Sequence, residues 1–261
     1  MTLPHIMRRI WESDAEMQSP DKSQQLDKSP KRIQSLFDSI APTYDWLNHI
    51  MSFGFDRSWR RRAVRRLQPQ VDGPILDLCT GTADFAIEFA KRNPNRKVVG
   101  LDFSAKMLEL GRKRIERAKL TSQIELVEGD ALNLPFDDNS FSVVSVSYGL
   151  RNMADTMRGI REMTRVCKPG GTVSIIEFRM PERGWFAPIY RFYFRHVIPR
   201  LGAFLTGESI GAYRYLFESV AAFPQGEALA NMMREAGLSQ IDQYPMTFGT
   251  VALNTGVKPK K

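Results

Sequence analysis

The chain has 261 residues, 43% hydrophobic and 25% charged, a size and mix that fit one large α/β domain with additions better than two separate ones. No run of about 18 unbroken apolar residues is present, and the N-terminus lacks the apolar block of a secretory signal, so neither a membrane-spanning helix nor a leader is predicted. The net charge of +8 suits nucleic acid, an anionic membrane surface or no particular partner, and charge alone does not choose among them.

Residues 1–30 mix Ser, Asp, Lys, Gln and Pro without periodicity and read as a weakly ordered extension. From Lys31 onward Ile33, Leu36, Phe37 and Ile40 recur at three- and four-residue spacing, the stripe of an amphipathic helix. A second helix follows Asp56, with Trp59, Ala63, Val64 and Leu67 on one side and Arg57, Arg60, Arg61, Arg62, Arg65 and Arg66 over much of the rest. Pro69 and the Asp72-Gly73-Pro74 turn close this helical cap, 31–72. Beyond it, strands predicted at 75–79, 97–102, 124–129, 143–148 and 172–177 alternate with helices at 85–92, 105–119 and 153–166. The last of these helices is stopped by Lys168-Pro169-Gly170-Gly171. This rhythm predicts a Rossmann-like α/β fold, a mostly parallel sheet with helices on both faces, in which 73–179 is the cofactor-binding core. An aromatic-rich insertion, 180–222, comes next. A helix at 222–236 and a closing antiparallel pair of strands at 240–245 and 247–255 complete the chain.

In such a sheet, ligands bind beyond the carboxyl ends of the strands, near the point where strand order reverses. The first strand runs into Asp77-Leu78-Cys79-Thr80-Gly81-Thr82-Ala83-Asp84. Gly81 lets the backbone pass close to a ligand, Thr82 offers a hydroxyl and an amide at a helix start, and Asp77 suits a cationic amino group. Asp102, about 20 residues further on, stands where a nucleotide ribose finds its partner, although a helix-cap role also suits it. Asp130 and the Ala131 amide are placed for an adenine edge, and Ser147 ends the fourth strand. The loop has one glycine where a dinucleotide fingerprint has three, and no Gly-Lys-Ser/Thr phosphate loop is present. A cofactor without phosphates, S-adenosylmethionine, fits better.

Several segments are more specific. The chain carries Phe37-Asp38-Ser39-Ile40-Ala41-Pro42-Thr43-Tyr44-Asp45 with Asn48 and Met51-Ser52-Phe53-Gly54, then Ser147-Tyr148-Gly149-Leu150-Arg151-Asn152, Arg165-Val166-Cys167-Lys168-Pro169-Gly170-Gly171 and Tyr213-Arg214-Tyr215-Leu216. In these it resembles the ubiquinone and menaquinone biosynthesis C-methyltransferase family from about Lys31 to the C-terminus. The resemblance implies a class I S-adenosylmethionine-dependent methyltransferase over 31–261, with Thr82, Asp102, Asp130, Ala131 and Ser147 in the cofactor pocket. It implies C-methylation of a demethylmenaquinol, with a polyprenyl methoxybenzoquinol as the alternative substrate. Thr80 and Ala83 stand where the family usually has more glycine, and Asp56 where it usually has histidine.

A ring carbon becomes a good nucleophile once an adjacent hydroxyl loses its proton, and the quinol supplies that hydroxyl. Arg151 is expected to stabilise the quinolate and to relay its proton through water, Asn152 to orient the ring oxygen and Tyr44 to close the opposite wall. For Arg151 and Asn152 the plainer role is capping and a salt bridge. Trp185, Phe186, Ile189, Tyr190, Phe192, Tyr193, Phe194, Val197 and Ile198, interleaved with arginines, read half as core and half as a lid for a lipid tail that touches the membrane. His5, His49 and His196 are scattered and Cys79 and Cys167 lack CxxC partners, so no metal site is expected. The two cysteines also point to a reducing cytoplasm. A nucleic-acid methyltransferase would show an Asp/Asn-Pro-Pro-aromatic segment where Ser147-Tyr148-Gly149-Leu150 stands, and no nucleic-acid partner is expected. A homodimer is compatible with the sequence.

Overall fold

The computed structural model describes residues 28–40, 44–181, 185–198 and 210–260. Most of the N-terminal extension therefore lies outside the described residues. Three helices come first: α1 (Pro30–Ile40), α2 (Tyr44–Met51) and α3 (Phe55–Arg66). Then follow β1 (Ile75–Leu78), α4 (Asp84–Arg92), β2 (Val98–Asp102), α5 (Ala105–Arg117), β3 (Ile124–Glu128) and β4 (Phe141–Ser147). A 3-10 turn (Leu150–Asn152) leads to α6 (Thr156–Val166) and β5 (Cys167–Phe178). The rest is α7 (Phe186–Phe192) with a π-helical continuation (Tyr193–Val197), α8 (Ile210–Ala222), α9 (Glu227–Glu235), β6 (Ser239–Met246) and β7 (Val251–Val257).

The strands form one sheet in the order β3-β2-β1-β4-β5-β7-β6. The β1 to β5 pairings are parallel, while β7 runs antiparallel to both β5 and β6. Strand order reverses between β1 and β4, where Asp77 pairs in register with Ser145. Alternation along the strands feeds two cores. Leu76, Leu78, Val144, Val146, Val173 and Ile175 pack with Ile160, Met163, Leu229 and Met233 of α6 and α9. Ile75, Val98, Val143, Ile176 and Leu253 pack with Trp59, Ala63 and Val64 of α3 and with Phe85, Ala86 and Phe89 of α4. All four residues of β1 are buried, as a strand covered on both faces must be.

The structure corrects several predicted boundaries. Tyr44–Met51 is helical, although no helix is predicted there. The 153–166 helix begins at Thr156, because the Asp155 side chain takes the Arg158 amide at 2.9 Å and caps it. Lys168-Pro169-Gly170-Gly171 belongs to β5 as a bulge: the register jumps from Phe141 opposite Cys167 to Val143 opposite Thr172. The 222–236 helix starts only at Glu227, after Pro224 and a Gly226 at φ 56°, and Thr247–Gly249 is a 3-10 turn preceding β7.

At the reversal point the loops after β1 and β4 nearly touch. A Cβ added to Gly149 would fall 2.4 Å from Cys79 Cβ and 2.6 Å from its Sγ. Gly149 has an ordinary φ of −110°, so the contact alone demands glycine. Gly149→Ala should cost about 1–3 kcal/mol through overpacking, measured as a lowered denaturant midpoint with an unchanged m-value.

Candidate active site

Beyond the carboxyl ends of β1 and β4 lies a cavity of about 510 Å³. Asp77, Gly81, Thr82, Ser147, Arg151 and Asn152 line it together. Asp102, Asp130 and Ala131 do not. Asp102 stands just behind the wall: its Oδ2 accepts the Gly81 amide at 2.9 Å and its Oδ1 the Ser104 amide at 2.9 Å. The helix-cap role falls to Ser104, whose hydroxyl takes the Met107 amide. Asp130 is exposed and turns its own loop by accepting the Leu132 amide at 2.8 Å, with Ala131 buried beside it. The side chain of Tyr44 lies outside the described residues, as does all of His5.

The loop after β1 is bent by alternating left-handed residues, Cys79 (φ 52°), Gly81 (φ 54°) and Ala83 (φ 66°). A Cβ on Gly81 would meet nothing within 4 Å, so bare backbone faces open space. Asp77 is 1% exposed; its Oδ2 accepts the Thr80 hydroxyl at 2.7 Å, while Oδ1 has no hydrogen-bond partner. Burial pushes this carboxyl up to about 7, against the pull of the Thr80 hydroxyl and the nearby Ala86 amide, and the Asp102 carboxylate adds to the rise. Burial likewise raises Asp102 despite its backbone donors, and it raises the Cys79 thiol, so that thiol stays protonated. The Ser147 hydroxyl is buried with no partner.

A string of charge runs along and behind one wall. His49 Nδ1 meets Asp56 Oδ1 at 2.9 Å, Arg60 lies 3.5 Å from Asp56 Oδ2 and also pairs with Asp84, and Asp84 holds Arg114 at 2.8 Å. Arg114 in turn donates to the Thr82 hydroxyl at 2.8 Å. Burial pushes Asp56 up, but hydrogen bonds from His49 and Ser52 and the Arg60 charge outweigh it and hold the carboxyl below its usual range.

At the cavity floor, Arg151 and Glu177 form a buried ion pair at 2.8 Å, with side chains 7% and 2% exposed. Glu177 also accepts the Arg151 amide at 3.2 Å, and the guanidinium donates to the Tyr148 carbonyl. Asn152 Oδ1 accepts the Tyr215 hydroxyl of α8 at 3.2 Å. Arg151 and Asn152 therefore make the structural contacts that the plainer reading expects while also facing the cavity. Glu177 carries no expectation from sequence; its signal is an acid directly after Ile175-Ile176 near a strand end. Phe178, Phe186, Ile189, Tyr190, Tyr193 and Phe194 supply an apolar roof. Among the described residues no group of three or more His, Cys, Asp or Glu is placed to hold a metal.

A buried carboxyl that lines the cavity, one oxygen lacking a donor, beside bare Gly81 backbone at the strand-order reversal, suits an amino-acid cation that carries no phosphate. Such a fold and site define an S-adenosylmethionine-dependent methyltransferase. Solved structures agree on the fold: Haemonchus contortus phosphoethanolamine N-methyltransferase 2 in complex with S-adenosylmethionine superposes with a TM-score of 0.62 at 16% identity, over 85% of this chain and 57% of that one. An S-adenosylmethionine-dependent methyltransferase from Thermotoga maritima gives 0.60 at 19%, over 86% and 98%. The chain belongs to the ubiE/COQ5 methyltransferase family, whose profile matches residues 24–258. It is 45% identical over 226 residues to demethylmenaquinone methyltransferase of Deinococcus radiodurans, covering 87% of this chain and 92% of the relative. It is 45% identical to the Thermus thermophilus protein of the same name, over 86% and 100%. To the ubiquinone/menaquinone biosynthesis C-methyltransferase UbiE of Geotalea daltonii it is 39% identical, over 89% and 99%.

The raised Asp77 has a consequence for binding. In the free protein the folded carboxyl keeps a proton that the unfolded one has released, so stability falls as pH rises from 3.8 towards 7. On the expectation that Asp77 takes the amino-acid ammonium, the ionised form is the one that binds. Affinity for S-adenosylmethionine should therefore rise roughly fivefold to tenfold between pH 6 and 7.5, with proton release. Calorimetry in buffers of different ionisation enthalpy measures both, and Asp77→Asn should bind weakly and without that pH dependence.

Proposed function

We propose that this enzyme transfers a methyl group to a ring carbon of a demethylated lipid quinol, with demethylmenaquinol as the substrate. The observation that carries this reading is the division of the cavity: polar strand tips on one side, and an aromatic roof from α7 and its π-helical continuation on the other. The relatives at 45% identity are named for demethylmenaquinone. The Geotalea relative's name covers both quinone types, which keeps a methoxybenzoquinol as the second reading.

S-adenosylmethionine supplies the methyl group as a sulfonium open to in-line displacement. Asp77, Gly81, Thr82 and Ser147 hold the amino-acid end, while Asp102, Asp130 and Ala131 take the nucleoside along the neighbouring strand tips. Asp102 keeps the Gly81 loop in place at the same time. Arg151 stays charged and stabilises the quinolate, its position set by Glu177. Asn152, braced by Tyr215, orients a ring oxygen. Positioning of donor and acceptor supplies much of the rate.

The described part of the 180–222 insertion that roofs the cavity, residues 185–198, serves as the lid. Trp185, Phe53 and Phe248 are 75%, 74% and 73% exposed, and all but Trp185 line the cavity. Ring contacts join Phe53 to Tyr193 and Phe248 to Phe186, so these exposed side chains belong to the roof. They give the lid an apolar rim that suits peripheral contact with an anionic membrane holding the substrate. Among the described residues no helix is long and apolar enough to cross a membrane.

Product mass decides the reading. Incubation with each demethylated quinol and S-adenosylmethionine should add one methyl mass to the naphthoquinol, on carbon. Arg151→Ala should yield no product while still binding S-adenosylmethionine. Wild-type protein that methylates neither quinol would overturn the proposal.

A further inference from the structure

The reaction leaves a proton to be removed, and the cavity wall holds a pair suited to remove it. On the proposed reading, a ring carbon uses an electron pair of the quinol to bond the methyl, and the pair of the broken sulfur–carbon bond stays on sulfur. The ring carbon then loses its hydrogen as a proton, and that bond's electrons restore aromaticity. The ring hydroxyl gives up its proton and regains one, so one proton per methyl must leave a site roofed by aromatic rings.

Asp56 lines the cavity, and its side chain is 18% exposed; its partner His49 is 41% exposed and is not part of the cavity lining. The two meet across a tight reversal between α2 and α3. Phe53 and Gly54 adopt φ of 50° and 76°, and the Gly54 amide donates to the His49 carbonyl at 2.8 Å. A Cβ at Gly54 would sit 3.2 Å from His49 Cε1, so the imidazole lies against bare backbone. The Ser52 hydroxyl, 3.1 Å from Asp56 Oδ1, ties the carboxylate to the same turn. His49 turns Nδ1 towards Asp56, so a proton that reaches the carboxylate can enter the ring at Nδ1 while the Nε2 hydrogen leaves to solvent, which restores the ionised Asp56. The other charged neighbours are Arg60, beside Asp56, and Asp84, which Arg60 also pairs with.

We propose that Asp56 and His49 form the proton exit of this site: Asp56 takes the released proton at the cavity wall and His49 passes it to solvent. His49 acts through Asp56 and does not touch the substrate. Because the imidazole is exposed, a small base from solution can replace it, a property that a purely structural histidine lacks.

The test is His49→Ala, assayed for C-methylated quinol beside the wild type. The expected result is a kcat lowered by about 100-fold, with KM for quinol, S-adenosylmethionine affinity and Tm kept, and recovery on adding imidazole. Asp56→Asn should lose kcat similarly but gain nothing from imidazole. Unchanged kcat in His49→Ala, or a loss that imidazole does not restore, overturns the exit while leaving the methyl-transfer reading intact. Absence of product from the wild type overturns both.

Discussion

The cavity is organised around the ion pair of Arg151 and Glu177. Neither side chain reaches water to any useful extent, so each charge depends on the other, and removing one partner of such a pair costs about 3–5 kcal/mol. Glu177 sits near the end of β5, paired in register with Ala252 of β7. By accepting both the amide and the guanidinium of Arg151, it anchors the 3-10 turn after β4 to the strand beside it. The guanidinium also stands over the Phe178 ring. A permanent positive charge is thereby held at the cavity floor by groups that belong to the sheet.

Strain collects on the same side. Cys79, Ala83 and Tyr148 hold positive φ without being glycine, and all three lie in the loops after β1 and β4. Each such residue costs on the order of 1–3 kcal/mol. The sheet supports that cost: Ser147 pairs with Ile176, and the Tyr148 amide donates to the Ile176 carbonyl at 2.8 Å. The strained backbone leaves Gly81 facing open space and Asp77 with an unsatisfied oxygen. In a ligand-binding loop, such open valences are where a cation and its amino acid can be recognised.

Much of the fold was legible in the residues. Ile75, Leu76 and Leu78 form a short apolar run, Gly73-Pro74 precedes it, and a parallel strand buried on both faces needs that composition. The Asp155 cap and the bulge at Lys168–Gly171 were harder to read, because a proline and two glycines have the same composition in a stop as in a bulge. Helix α2 leaves a weak sequence signal because Tyr-Asp-Trp-Leu-Asn-His-Ile-Met spans barely two turns and precedes a glycine turn. Asp77, Gly81, Thr82, Ser147, Arg151 and Asn152, read from strand ends and motifs, all line the one cavity.

From the sequence alone came the alternation of strands and helices, the single-glycine loop, the family resemblance and the acids at successive strand tips, since these depend on local composition and spacing. Tertiary structure decided which of those acids face the cavity, that Glu177 holds Arg151, and that His49 reaches Asp56. Those facts rest on contacts between residues that spacing cannot align: 26 positions separate Arg151 from Glu177. Parallel pairing of β4 with β5 brings them together, and left-handed backbone at Phe53 and Gly54 turns His49 onto Asp56.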